Sequence, residues 1–432
     1  MVRLVAFSAS LLCILLGSGC SHSFYYRVLQ PVTQRDHPES EFGSKALREA
    51  DLSLLGPVPG AAGSIPLVKP LARGKRTYLI IQVDGGGIMG ITPARLLCEL
   101  ETAILSRDSF GQRRLRDAVS ICSGTSTGAI IAGAIAAGVP ASELSRFYEE
   151  DGYALFRGEG RLPLHPVVQY KFDRSAFQQE MIDVLRNHSP ERPDVRLREL
   201  EDGPLLMIAA YDLVGRRTLF LRSRTDRGGQ ISDGANIQLI DAISASAFSA
   251  AFMFGKLVAP DYEWHRMDAE GQVQLMRGAV FADGGQGTQN TTFAVAALEG
   301  IRLLQRDPGS QVVLISLGSG NDLGDRGFEN VIGYWGYEQL ADFLLNNQAR
   351  SEAVILQWNA VRKMEEAVGE NFKAFRFDWN HTSSKDASSF SINPRQRDWL
   401  LAKAEEIASR PDFKQLLRDL ADERVLLQPY RH

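Results

Sequence analysis

The residues best suited to chemistry lie in three short glycine-bearing segments. Gly124-Thr125-Ser126-Thr127-Gly128 is a G-x-S-x-G sequence with an apolar run before it and a helix-forming run after it, the context a nucleophile elbow needs. Small flanking residues let the backbone turn sharply enough to push the serine hydroxyl out at the carboxyl end of a strand. A helix starting there turns free N–H groups and the positive end of its dipole toward charge developing on an attacked acyl group. The plainer reading is a tight strand-to-helix turn without chemistry. Asp84-Gly85-Gly86-Gly87-Ile88-Met89-Gly90 leaves main-chain N–H groups uncovered, a cradle for negative charge. Three readings compete for it. As G-x-G-x-x-G it fits a dinucleotide loop, yet the acid roughly 20 residues on, Asp108, follows a helix-like run and not a strand. As a phosphate loop it has Ile91 where a lysine belongs. As an oxyanion hole, supplied by a loop separate from the serine, it lacks no part.

A serine hydroxyl needs a base, ordinarily a histidine held by an acid. His165, His188, His265 and His381 sit in polar or loop-like stretches, none at the end of a convincing strand. Asp283 does lie at such an end, in Val280-Phe281-Ala282-Asp283-Gly284-Gly285. A carboxylate held at about 2.6–3.2 Å from the hydroxyl can take its proton directly. The bland alternative is an Asp-Gly turn.

The elements that must position these residues read as a repeated strand, glycine loop and helix. Tyr78 to Val83 is a short buried-type strand stopping at the first glycine loop, and Thr92 and Pro93 suit an N-cap and first position for a helix over Ala94 to Leu105, with Leu96, Leu97, Leu100 and Ile104 on one face. Ala118 to Cys122 is a second strand, Ser123 to Gly128 a tight turn and Ala129 to Ala137 a helix. Further strands are expected over Leu205 to Tyr211, Arg217 to Leu221, Ala279 to Ala282 and Val312 to Leu317. Such alternation predicts an α/β fold with a mostly parallel sheet covered by helices, and beyond about Gly333 the chain reads as mainly helical. The apolar stretch Phe248 to Phe254 reads as packing core in preference to an acyl pocket. Arg73, Lys75 and Arg76 read as a solvated charge cluster in preference to a lipid head-group site.

The 432 residues hold 48 Lys and Arg against 52 Asp and Glu, a net charge of −4 without the basic excess of nucleic-acid binding, so no nucleic-acid partner is expected. The four cysteines (Cys13, Cys20, Cys98, Cys122) form no C-x-x-C pair, so zinc sites and disulfide scaffolds drop out. Arg3 followed by an apolar run from Leu4 to Leu16 is a signal-type segment, too short for the roughly 20 apolar residues of a spanning helix. Gly17-Ser18-Gly19-Cys20 resembles a bacterial lipobox, with Gly17 where a leucine is usual. Residues 1–19 are therefore expected as a lipoprotein-type signal peptide, Cys20 as the lipidated residue, and 20–76, rich in Pro and Gly, as a spacer. That makes the expected location the bacterial cell envelope, with a membrane-anchored periplasmic or outer-membrane lipoprotein, or a secreted protein as the alternative. Cys98 and Cys122 read as inert core thiols.

Taken together, the three segments resemble the patatin-like phospholipases, whose pattern is a D-G-G-G-x-[RK]-G loop, a G-T-S-T-G elbow and a D-G-[GA] aspartate. Asp84 to Gly90, Gly124 to Gly128 and Asp283 to Gly285 match it in order and approximate spacing, and Ile243 to Phe248 and Ile315 to Gly320 are similar to two further family segments. The resemblance implies a three-layer α/β/α patatin-like fold with a helical C-terminal part, a catalytic domain over 77–330 and a helical extension over 331–432 packed on it. It also implies hydrolysis of phospholipid or other acyl-lipid esters, as a phospholipase A or lysophospholipase, without metal or cofactor. In this sequence Ser126 would be the nucleophile, Asp283 the base, and the N–H groups of Gly85, Gly86 and Gly87 the oxyanion hole, supported by Asp84, Gly90, Gly124, Thr127, Gly128, Gly284 and Gly285. Met89 departs from the pattern, because the family carries Arg or Lys there. No proline follows Phe248, and Asn290 falls one place later than the family's asparagine. The alternative is a non-catalytic lipid-binding or scaffolding lipoprotein that keeps the fold.

Overall fold

A computed structural model describes residues 70–109, 113–151, 172–200, 202–224, 236–250, 253–267, 271–286, 289–322, 347–381 and 394–430. Cys20, the signal-type segment and the spacer up to residue 69 lie outside the described residues. The strands are β1 (Arg76–Val83), β2 (Val119–Thr125), β3 (Leu205–Asp212), β4 (Arg217–Arg222), β5 (Leu257–Met267), β6 (Val273–Asp283), β7 (Gln311–Leu317), β8 (Asn321–Asp322), β9 (Phe372–Phe377), β10 (Asn380–His381) and β11 (Leu426–Leu427). Hydrogen-bonded neighbours run β5-β6-β3-β2-β1-β7-β9, with β4 on β3 and β11 on β1. Pairings among β3, β2, β1, β7 and β9 are all parallel. β2 and β7 are buried at every position because both faces of the sheet are covered.

Alternate residues of β1 divide between two cores. Leu79, Ile81 and Val83 join the larger cluster with helices α1 (Ile91–Leu105) and α2 (Thr127–Ala137), while Ile80 joins Phe293, Leu314, Phe372 and Ala374 beneath α6 (Phe293–Arg306). Between α2 and α6 in the chain come α3 (Ala141–Arg146), α4 (Arg174–His188) and α5 (Leu239–Ala247), and after α6 come α7 (Asn347–Val368), α8 (Pro394–Ser409) and α9 (Pro411–Ala421). The result is three layers, helix, sheet and helix, as expected. The apolar stretch after α5 is core: Phe248 and Phe254 are buried against Phe172 and Phe177 in a four-ring cluster.

Four expectations need correction. First, α1 begins at Ile91, which puts Thr92 inside the helix and not at its N-cap; its hydroxyl donates to the Leu400 carbonyl at 3.1 Å, so tertiary contact took the group that local capping would have used. Second, β2 runs on to Thr125, and the expected turn is compressed into Ser126 alone. Third, the expected strand at Ala279 to Ala282 is the last part of β6, which pairs with β5 in a long hairpin whose mixed polar outer half hid its period. Fourth, the C-terminal part, mainly helical among the described residues as expected, also adds strands to the sheet. β9 pairs in register with β7 and β11 extends along β1. The basic cluster is also committed to protein contacts: Arg73 pairs with Asp422 at 3.0 Å, Lys75 donates to Asn371 at 2.7 Å and Arg76 pairs with Asp307.

Candidate active site

Ser126 adopts φ 54°, ψ −122°; among the described residues only Arg216 shares a positive φ without being glycine. Holding a serine there costs on the order of 1–3 kcal/mol, which the surroundings must over-determine. They do so by close approach. A Cβ on Gly124 would overlap the Gly128 carbonyl, and a Cβ on Gly128 would overlap the Val83 carbonyl, so both glycines are needed for β1, β2 and α2 to meet. The Ser126 N–H donates to Ser246 Oγ at 2.7 Å, and that hydroxyl donates on to the Ala209 carbonyl at 2.6 Å. Thr127 opens α2 without a side-chain cap and shares a hydrogen bond with the buried Tyr148 hydroxyl. Burial drives that phenol well above the ordinary tyrosine range, so Tyr148 stays neutral.

The register of β3 brings the serine and the aspartate together. One edge of β3 is taken by β4 along Met207 to Asp212. The other edge is shared end to end by two strands: Thr125 of β2 pairs with Ala209, and Asp283 of β6 pairs with Ala210. The carboxyl ends of a parallel and an antiparallel strand therefore meet on consecutive residues of β3. Asp283 is buried, its N–H donates to the Ser249 carbonyl at 3.2 Å, and its Oδ1 accepts from Gly285 N–H at 2.8 Å. Gly284 lies flat on the Ala209 carbonyl, where a Cβ would sit 2.6 Å from the oxygen. The segment from Ser246 to Ser249 thus holds both strand ends, one through a hydroxyl and the other through a carbonyl.

The glycine loop closes over the same spot. A Cβ on Gly85 would lie 3.1 Å from Ser126 Cβ and 2.5 Å from Asn290 Oδ1. The Gly85 N–H, however, donates to the Asn290 carbonyl at 2.9 Å, which removes it as an oxyanion donor. Of the three N–H groups the resemblance offers, those of Gly86 and Gly87 remain. They stand at the start of the helical turn Gly87–Gly90, where an N–H has no acceptor within the turn, and Gly87 has φ +57°. The Gly85 carbonyl accepts from Asn290 Nδ2 at 3.1 Å and from Ser319 Oγ at 2.6 Å. Gly90 packs against Thr127 and Tyr148, which ties the loop's far end to the elbow.

Met89 is buried and brings no charge to the loop, but a cation lies beside it all the same. Arg376 of β9, buried, donates from Nη2 to Asp84 Oδ2 at 2.5 Å and to Asp378, and from Nη1 to Ser316 Oγ at 2.6 Å. Desolvation pulls the guanidinium down, but the Asp84 and Asp378 carboxylates outweigh it and hold Arg376 above its ordinary value. Desolvation raises Asp378 against the pull of Arg376.

The sequence reading did not single out Arg376, Asp378, Ser319, Ser246 or Ser249 as site residues. The available signals were a charged residue on the inward period of an otherwise apolar strand, Phe372–Phe377, and serines inside apolar runs. His381, read as lying in a polar stretch, is buried on β10 with its ring against Trp379. His188 ends α4 and His265 lies within β5, and His165 is outside the described residues. Among the described residues no group of three or more His, Cys, Asp or Glu could hold a metal ion.

Comparison with known proteins finds a matching family model. The family model described as Patatin-like phospholipase matches residues 82–297, which include all three glycine-bearing segments. Patatin-17 of Solanum cardiophyllum is 31% identical over 109 residues, 24% of this chain and 28% of the relative. Patatin group M-2 of Solanum tuberosum is 22% identical over 268 residues, 58% of this chain and 62% of the relative. The chain therefore spans less than two thirds of the length of these curated relatives. The crystal structure of VipD from Legionella pneumophila aligns over 80% of this chain and 67% of its own with 10% identity and a TM-score of 0.33. On the extent of the family match, the chain belongs to the patatin-like phospholipases.

Proposed function

We propose that the chain is a serine-dependent lipid acyl hydrolase of the phospholipase A or lysophospholipase type, with Ser126 as nucleophile and Asp283 as general base. The observation that carries this reading is the meeting of β2 and β6 on consecutive residues of β3, with Ser126 strained outward at that junction. Asp283 takes the hydroxyl proton as Ser126 Oγ attacks the ester carbonyl. The tetrahedral oxyanion accepts hydrogen bonds from Gly86 and Gly87, while the dipole of α2 points its positive end at the same charge. Collapse breaks the acyl C–O bond, and the proton on Asp283 goes to the departing alcohol. Water then repeats the sequence on the acyl-enzyme, giving up its proton to Asp283 and regenerating Ser126 as fatty acid leaves. Burial of Asp283 and Ser126 favours this chemistry, since the carboxylate competes with little water for the proton.

The test is release of fatty acid from phospholipid vesicles and from a p-nitrophenyl ester, with a fluorophosphonate probe as an independent reporter of the serine. Ser126→Ala and Asp283→Asn are each expected to abolish turnover in folded protein, and the probe is expected to mark wild type but not Ser126→Ala. Full activity in either variant rejects the dyad. A folded wild-type protein that neither turns over nor takes the probe favours the scaffolding alternative. Anchoring through a lipidated Cys20 is part of the same proposal. Mass spectrometry of the envelope-extracted protein should find a diacylglyceryl adduct there, and an unmodified Cys20 would remove it.

A further inference from the structure

Gln82 of β1, Ser316 of β7 and Arg376 of β9 stand side by side in register across three neighbouring strands. Their side chains close into a ring with Asp84: Gln82 Nε2 donates to Asp84 Oδ1 at 2.9 Å, Ser316 donates to Gln82 Oε1, and Arg376 joins Ser316 to Asp84. Two residues further along each strand, just past the last paired row, come Asp84, Gly318 and Asp378, and a Cβ on Gly318 would overlap the Asp378 carboxyl. That carboxylate in turn organises the turn after β7, with Oδ1 accepting from Gly320 N–H at 2.9 Å and Oδ2 from Asn321 Nδ2 at 2.8 Å. The turn's Ser319 holds the Gly85 carbonyl and packs where a Gly86 side chain would be.

These contacts bear on one peptide unit. In a planar trans peptide the N–H points opposite to the C=O, so fixing the Gly85 carbonyl fixes the direction of the Gly86 N–H. Two donors, Ser319 Oγ and Asn290 Nδ2, fix that carbonyl. We infer that Arg376 is a positioning residue which, through Asp378 and the turn that carries Ser319, holds the Gly85–Gly86 peptide with its N–H toward the reacting acyl oxygen. The inference rests on the reading of the loop as the oxyanion hole. It assigns the function to a strand beyond residues 82–297, the part matched to the family.

The experiment is steady-state hydrolysis of the p-nitrophenyl ester by the full chain. Arg376→Met alone would strand two buried carboxylates and risks misfolding. The informative variant is therefore the neutral triple change Asp84→Asn, Arg376→Met and Asp378→Asn, checked by circular dichroism and melting. It should lower kcat by about 100-fold, the scale of one lost oxyanion donor, while KM stays within about threefold, since ground-state binding is untouched. Arg376→Lys, which keeps a charge beside Asp84, should recover much of that loss. Ser319→Ala, a gentler change, should cost about tenfold in kcat and lower the melting temperature by no more than a few degrees. Wild-type kcat in a folded triple variant, or in Ser319→Ala, overturns the inference, and Ser319→Ala decides alone if the triple variant does not fold. Ser126→Ala run alongside separates the two failures. Full activity there removes the dyad and this inference with it, whereas inactivity there beside unimpaired Arg376 and Ser319 variants removes this inference only.

Discussion

The two halves of the sheet hold the site in different ways. On the β2, β3, β6 side the parts are held by main-chain register and by neutral hydrogen bonds that Ser126 and Asp283 donate to Ser246 and Ser249. On the β1, β7, β9 side the glycine loop is held by a buried guanidinium between two carboxylates, together with Gln82, Ser316 and Ser319. The first half stores strain at one residue and needs glycine wherever chains touch. The second buries charge, which is tolerable only while every partner is present, because one unpaired ion in the interior costs several kcal/mol. Ser126 keeps its strained backbone because the elements around it leave no other path. A loop that only donates N–H groups has no such enforcement and is fixed by side chains from elsewhere.

The sharpest way to break the comparison is at the junction. Asp283→Asn should lower kcat by at least about 10⁴-fold with the fold retained, as read by fatty-acid release. Ser126→Gly should be equally inactive yet unfold at no lower denaturant concentration than wild type, because glycine adopts φ 54° without strain. A clear loss of stability there would show that the elbow is not strained. Gly128→Ala comes next. Its Cβ meets main chain, which cannot rotate away, so equilibrium unfolding should show a loss of about 3 kcal/mol or more. Ser246→Ala removes one neutral bridge and should cost about 1 kcal/mol of stability and roughly tenfold in kcat. Stability lost without any change in kcat would mean that Ser246 merely packs. Smallest of all are the thiols. Burial pushes Cys98 up to about 11 and Cys122 well above the ordinary range, so at pH 8 only about one Cys98 in a thousand is thiolate. Iodoacetamide at pH 8 should leave activity intact and modify neither cysteine in native protein over an hour.

Much of this was legible because it is local. A buried strand is a run of apolar residues, and an elbow is a serine among small residues between a strand and a helix. Ser126, Asp283 and the glycine loop follow from such patterns, as do β1, β3, β4 and β7 to within a residue or two. The β5–β6 hairpin was legible only at its inner end. Its outer half exposes Val273 and Leu275 and mixes them with charge, so no two-residue period marks it. Thr92 was misread because a good capping residue is also a good donor to a neighbouring helix, and only packing decides which partner it takes.

The order of short motifs along the chain determined the fold class, the candidate nucleophile and base, and the family, because each motif is a constraint on a few consecutive residues. Tertiary structure alone decided that Thr125 and Asp283 follow one another along a single edge of β3, that Gly85 spends its N–H on Asn290, and that a cation reaches Asp84 from β9. Those facts depend on strand order and register, which are set by the summed packing of both faces of the sheet. No stretch of a few residues carries them.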